Sequence, residues 1–257
     1  MALDRRTLLL SALALPLVSA ASRAASPVSH DAGLDHIGML VYPGFTALDF
    51  VGPHHFLGNL PGAQVHVVTT QPELSPVASD LGLMVQPTTT ISDCPAELTV
   101  LFVPGGTAGT IAAARDEQVL EFIADRASRA RYVTSVCTGS LVLGAAGVLE
   151  GKRATSHWAT VPTLERFGAI PVRERVVRDG NVITGAGVSA GIDFGITLAE
   201  ELRGRLFAEA GVLISEYAPE PPIVGGTLET ARPEVAALLE RNLAPFVADA
   251  NELKVLQ

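Results

Sequence analysis

Cys137 is the residue on which a chemical reading of this 257-residue chain can be built. It stands in Ser135-Val136-Cys137-Thr138-Gly139. Tyr132-Val133-Thr134 precedes it, an aromatic and β-branched run that reads as a buried strand. Small residues and good helix formers follow, to Leu149. A thiol where a strand turns into a helix, with small residues two before and two after it, has the layout of a nucleophile elbow, with Cys as nucleophile and Ser in place of the first Gly. The turn lifts the side chain over the sheet edge, and the helix N-terminus it faces favours thiolate. The competing reading is a buried structural cysteine, since free Cys is a common core residue.

Three other stretches hold groups that could serve such a thiol. Asp49 lies among apolar neighbours on the first turn of a helical stretch toward Leu60, either as an N-terminal cap or as a carboxylate held over the elbow. Gly105 and Gly106 close the apolar strand 98–103. Their N–H groups, with that of Thr138, could form an oxyanion-type hole, or the glycines could be an ordinary strand-to-helix loop. His157 is the candidate base near Cys137, or a simple cap, at the start of a helix expected over 159–167. His66 reads as structural.

The elements that must position these groups alternate. Strands are expected at 36–42, 64–69 and 98–103, then a helix over 117–131 with Val119, Leu120, Phe122, Ile123 and Ala127 on one face, then the elbow. A strand excursion with a Gly turn falls at 76–87, a short strand at 151–156, and a hairpin at 175–184 around Asp179-Gly180-Asn181. Residues 185–193 form a Gly-rich loop entering a helix to Arg203, with neither GxGxxG spacing nor a Walker Lys. It is therefore a backbone-built pocket wall rather than a phosphate cradle. Strands alternating with helices give βαβ units and a mainly parallel sheet, whose ligands bind beyond the carboxyl ends of the strands. Gly105-Gly106 and Cys137 both fall at such ends.

Composition narrows the class. The N-terminus carries a twin-arginine pair, Arg5-Arg6, followed by an apolar run to Ala21 and by Ser22-Arg23-Ala24 before Ala25. This is a Tat export signal that implies a periplasmic destination. Removing residues 1–24 takes away three Arg and one Asp, so the formal charge moves from −9 to −11. An acidic mature chain argues against nucleic acid or an anionic membrane surface as partner. Two cysteines, Cys94 and Cys137, are too few for a secreted disulfide framework, and there is no zinc-type spacing such as CxxC or HExxH. The organisation reads as leader 1–24, linker 25–35, α/β domain 36–226 and C-terminal helical extension 227–257.

The stretches 48–53, 103–106, 134–140, 151–158, 184–194 and 216–226 together resemble, in this order, the ThiJ/PfpI superfamily (class I glutamine-amidotransferase-like). Within it they look most like the isonitrile hydratases. The resemblance implies a flavodoxin-like three-layer α/β sandwich, a homodimer, and Cys137 as nucleophile. It implies that Asp49 contacts Cys137 and handles its proton, that Gly106 and Thr138 line anion-holding backbone, and that Gly187 and Val188 border the pocket. The implied activity is hydration of small-molecule isonitriles to N-substituted formamides without a cofactor. PfpI-type peptidases resemble this elbow but place His directly after the Cys, where this chain has Thr138. Two other readings stay open: a hydrolase of small aldehydes or glycated thiols, whose members place Glu beside the Cys, and an exported ligand or redox sensor without turnover. Replacing Arg5 and Arg6 with Lys should hold uncleaved precursor in the cytoplasm. Cell fractionation checks this, and cytoplasmic full-length protein in the unaltered host would refute the leader.

Overall fold

The computed structural model describes residues 34–256, so the expected leader and nearly all of the expected linker lie outside the described residues. The strands are β1 (Asp35–Val41), β2 (Ala63–Thr69), β3 (Val77–Ala78), β4 (Met84–Val85), β5 (Thr89–Thr90), β6 (Val100–Val103), β7 (Tyr132–Val136), β8 (Arg153–Ala154), β9 (Ile170–Pro171), β10 (Val176–Asp179) and β11 (Val182–Gly185). Seven of them form one sheet in the order β10-β11-β7-β6-β1-β2-β5. Every neighbouring pair is parallel except the β10–β11 hairpin at one edge. β6 and β7 are buried along their whole length, as central parallel strands covered on both faces must be.

The helices are α1 (Ala47–Leu57), α2 (Ala108–Ala113), α3 (Glu117–Ala127), α4 (Gly139–Ala145), α5 (Ala190–Arg203), α6 (Arg205–Ile214) and α7 (Pro233–Asn251). α1 packs on α5, and α5 on α6, over one face of the sheet; α2, α3 and α4 cover the other. This is the flavodoxin-like sandwich, with its core on both sides of β6 and β7. The Phe102 ring of β6 meets Phe194 of α5 at 5.6 Å between centroids. α3 buries Val119, Leu120, Phe122 and Ile123, and Asp116 caps it by accepting from Gln118 N and Val119 N.

The structure departs from the sequence reading in a few places. The helix expected over 159–167 is a set of turns leading into a 3-10 helix, Pro162–Phe167. The Thr160 hydroxyl donates to His157 O, competing with helical backbone bonding, and Pro162 has no N–H to give. The short helix α2 and strand β5 were not expected; each is too brief to show a period. α7 packs against α2 and the 3-10 helix and buries Ala250 and Leu253, so the C-terminal extension is part of the same body.

β7 and α4 meet β6 so closely that only glycine fits at the crossing. A Cβ on Gly139 would stand 2.7 Å from Pro104 O and closer still to Val103 O, both backbone atoms. Gly139→Ala should therefore destabilise the fold by about 1–3 kcal/mol, by forcing the elbow away from β6. Gly226→Ala, with nothing within 4 Å of its would-be Cβ, should be near neutral. Thermal melts of the two variants check the contrast, and equal melting temperatures would refute the crossing argument.

Candidate active site

Cys137 has φ 57, a left-handed conformation rare outside glycine, on the turn between β7 and α4. Several bonds hold it there. Its N–H is shared between Gly185 O (3.0 Å) and Ala186 O (2.9 Å), and its carbonyl accepts from the hydroxyls of Ser140 and Ser156, each at 3.2 Å. The side chain is 4% exposed.

Asp49 is fully buried on the first turn of α1. It does not cap that helix. Its Oδ2 instead accepts the Gly105 N–H at 3.0 Å, across the carboxyl end of β6. Gly105 is itself fixed by this contact, because a Cβ there would lie 2.6 Å from Thr138 N and 2.8 Å from Asp49 Oδ2. The Cys137 thiol bonds to the same carboxyl. Burial pushes the Asp49 carboxyl from its ordinary 3.8 up to about 7. The Gly105 N–H and the thiol pull it down, and the Asp80 carboxylate pushes it up.

The thiol is raised as well. Burial is the main cause and the Asp49 carboxylate the second, while the Thr138 N–H pulls the other way. The expected thiolate at the helix N-terminus is thus corrected: α4 has only seven residues, and its field does not offset the loss of water and a neighbouring carboxylate. The thiol thus holds its proton firmly, beside a carboxyl that titrates near neutrality.

The expected anion-holding backbone is differently employed. The Gly106 N–H donates to Thr138 Oγ1 at 2.9 Å, and that hydroxyl donates back to Gly106 O at 2.6 Å. With the Gly105 N–H on Asp49, both glycine donors are engaged. Thr138 Oγ1 also contacts Thr110 Oγ1 (3.0 Å), which contacts Tyr42 OH (3.1 Å), which donates to Pro104 O (2.6 Å). Tyr42 and Thr110 were missed from sequence. Tyr42 ends an apolar strand and Thr110 sits in a helix with no periodic signal, so only the fold brings them to the elbow.

A cavity of about 550 Å³ lies between Leu48 of α1, the segment 155–158 and the loop 186–189; Cys137, Asp49, Gly106 and Thr138 are not on its wall, which reaches the elbow through residues bonded to the Cys137 backbone. Ser156 and Ala186, both bonded to the Cys137 backbone, lie on its wall with His157, Trp158, Gly187 and Val188. His157 is thus placed on the pocket but makes no hydrogen bond to Cys137. Its Nδ1 accepts from Ala159 N at 3.4 Å, which puts the neutral ring's proton on Nε2, and burial lowers its pKa. Gly187 leaves room for that ring, its would-be Cβ standing 3.2 Å from His157 Cδ2.

The other cysteine is separate. Cys94 and Cys137 are both free and buried. Arg126 donates to the Cys94 carbonyl at 2.9 Å and lowers the thiol's pKa against a larger upward push from burial. His66 is structural as expected, its Nε2 lying 2.9 Å from His36 Nδ1. Among the described residues, no group of three or more His, Cys, Asp or Glu is arranged to hold a metal ion.

Comparisons with known proteins bear on the family and the fold. The sequence profile of the DJ-1/PfpI family matches residues 35–201. The chain is 53% identical to the isonitrile hydratase of Pseudomonas putida over 217 residues, which is 84% of this chain and 93% of that one. A crystal structure of a ThiJ/PfpI family protein from Pseudomonas syringae superposes with a TM-score of 0.84 at 50% identity, covering 91% of this chain and 97% of that one. Drosophila melanogaster DJ-1beta shares the fold, with a TM-score of 0.64 at 24% identity over 72% of this chain and 99% of its own.

A buried acid titrating near 7 affects stability. Its protonated form is tolerated below the unfolded pKa near 4, and that contribution is lost as pH rises through about 7. Asp49→Asn removes the burden, so the variant should gain stability over the parent between pH 4 and 8, by up to about 4 kcal/mol. Urea unfolding of both proteins at the two pH values checks this; a gap that does not change with pH would refute a raised Asp49.

Proposed function

The chain belongs to the DJ-1/PfpI family, and on that premise we propose that it hydrates isonitriles to N-substituted formamides, with Cys137 as nucleophile and Asp49 as proton carrier. The observation that carries the reading is the contact between a buried thiol and a buried carboxyl that titrates near neutrality, beside a cavity. The 53% identity to a named isonitrile hydratase supports it. An acid with a pKa near the working pH can both accept and return a proton.

The steps follow from this pair. In R–N≡C the terminal carbon is the reactive atom. Cys137 sulfur bonds to it as Asp49 takes the thiol proton, and Asp49 delivers that proton to the same carbon, giving the thioimidate R–N=CH–S–Cys. Water then adds to this carbon, Asp49 taking one of its protons and passing that same proton to the nitrogen. The adduct R–NH–CH(OH)–S–Cys expels the sulfur as the hydroxyl proton leaves, releasing R–NH–CHO and restoring the thiol. The balance is one isonitrile and one water to one formamide. His157, neutral and not bonded to the sulfur, is a wall group in this scheme. The Thr138 N–H at the sulfur supports the developing charge as the C–S bond forms and breaks.

Rates on an isonitrile should order the variants. Cys137→Ala should be inactive, since no other group forms the thioimidate. Asp49→Asn keeps an acceptor for Gly105 but loses the transferable proton, at a cost of about 10²–10⁴-fold. The double variant should be no worse than Cys137→Ala, because the two act as a unit. His157→Ala should lose less than either. An Asp49→Asn enzyme at the parent's rate, or turnover of methylglyoxal in place of the isonitrile, would overturn the reading.

A further inference from the structure

The cavity beside Cys137 carries a charge that the hydration steps do not use. Two arginines lie on its wall, Arg173 and Arg175. Arg175 is committed: its Nε pairs with Asp193 Oδ2, and the other oxygen of that carboxylate takes the Tyr217 hydroxyl at 2.7 Å. Glu174, also on the wall, pairs with Arg153 at 3.6 Å. Arg173 makes no ion pair and no hydrogen bond among the described residues. Acids outnumber Lys and Arg by 27 to 18, so its state does not reflect a shortage of carboxylates. The one wall carboxylate that feels it, Glu229, bonds to its own N–H and to Thr227.

Arg173 also borders two cavities at once. It and Trp158 line both the cavity at the elbow and an adjoining groove of about 460 Å³ that runs under α7. An indole and a planar guanidinium on one cavity wall offer a flat apolar surface and a fork that matches a carboxylate. We propose that Arg173 is an anion-recognition residue and that the substrate is an isonitrile bearing a carboxylate, held with its reactive carbon at Cys137, its carbon frame against Trp158 and its carboxylate on Arg173. A monoanion fits better than a phosphate dianion, because one unpaired cation faces it and Glu229 stands nearby. This assignment rests on the hydratase reading for the reactive group, but not for the anion.

The test uses a matched pair, 3-isocyanopropanoate and 3-isocyanopropanamide, which differ in charge alone. The parent enzyme should favour the carboxylate in kcat/KM by about tenfold, the scale of one hydrogen-bonded charge pair. Arg173→Gln should bring the ratio close to one, and Arg173→Glu should invert it. Trp158 is the single tryptophan of the chain, so its fluorescence reports binding of the product formamides of both compounds without any turnover. The formamidopropanoate should bind the parent about tenfold more tightly than the amide, and Arg173→Gln should remove the difference. Equal ratios in the parent, or a carboxylate preference that survives in Arg173→Gln, overturns the anion site even if isonitriles are hydrated. If neither isonitrile is turned over but the Arg173-dependent binding difference persists, the hydratase reading falls and the anion site stands.

Discussion

The site is built around a carboxyl group kept from water, the group that the proposed hydration asks to move a proton. Asp49 in water would be a weak base, ionised at any neutral pH and of little use as an acid. Full burial on the first turn of α1 raises it to about 7, and the Gly105 N–H keeps the rise from going further. That one hydrogen bond spans the carboxyl end of β6, so it requires the β6 loop, α1 and the elbow to meet at van der Waals distance. The glycines at 105 and 139 are what let them meet. The Thr138 N–H at the start of the seven-residue helix pulls the thiol down, but burial and the Asp49 carboxylate beside it push it up further.

Much of this was legible in the sequence because it is local. The elbow shows in the step from β-branched to small residues around Cys137, and the sheet in continuous apolar runs such as Val100–Val103. Asp49 stood out as a lone acid among apolar neighbours, but its partner could not be read there, since Gly105 lies 56 positions away. The chain of hydroxyls from Tyr42 through Thr110 to Thr138 spans 68 positions in its first link and includes a helix too short to show a period. The direction of the thiol's shift was misjudged for a related reason. A helix terminus is visible in a sequence, whereas the desolvation that outweighs it is a property of the assembled site. The charged neighbour of Cys94, likewise, comes from Arg126, 32 positions on.

The sandwich separates two tasks between its parts. The carboxyl ends of β6 and β7, fixed by the parallel register, carry Gly105 and Cys137, and Asp49 of α1 bonds to both. The cavity wall is made largely of connecting segments, 155–158, 173–175, 186–189 and 226–229, that lie between regular elements. Segments of this kind tolerate substitution better than central strands, so the groups that choose a substrate can change while the groups that act on it stay in place. Arg173 belongs to the first set and Asp49 to the second.

The left-handed backbone at Cys137 has a meaning for descent as well as for chemistry. A non-glycine residue held at positive φ costs on the order of 1–3 kcal/mol, and glycine at that position would relieve it. Asparagine in place of Asp49 would relieve a second burden at no loss of shape. Under the hydration proposed above, a lineage that ceased to use the reaction would therefore find Cys137 and Asp49 on a downhill path of drift, each first step making the protein more robust.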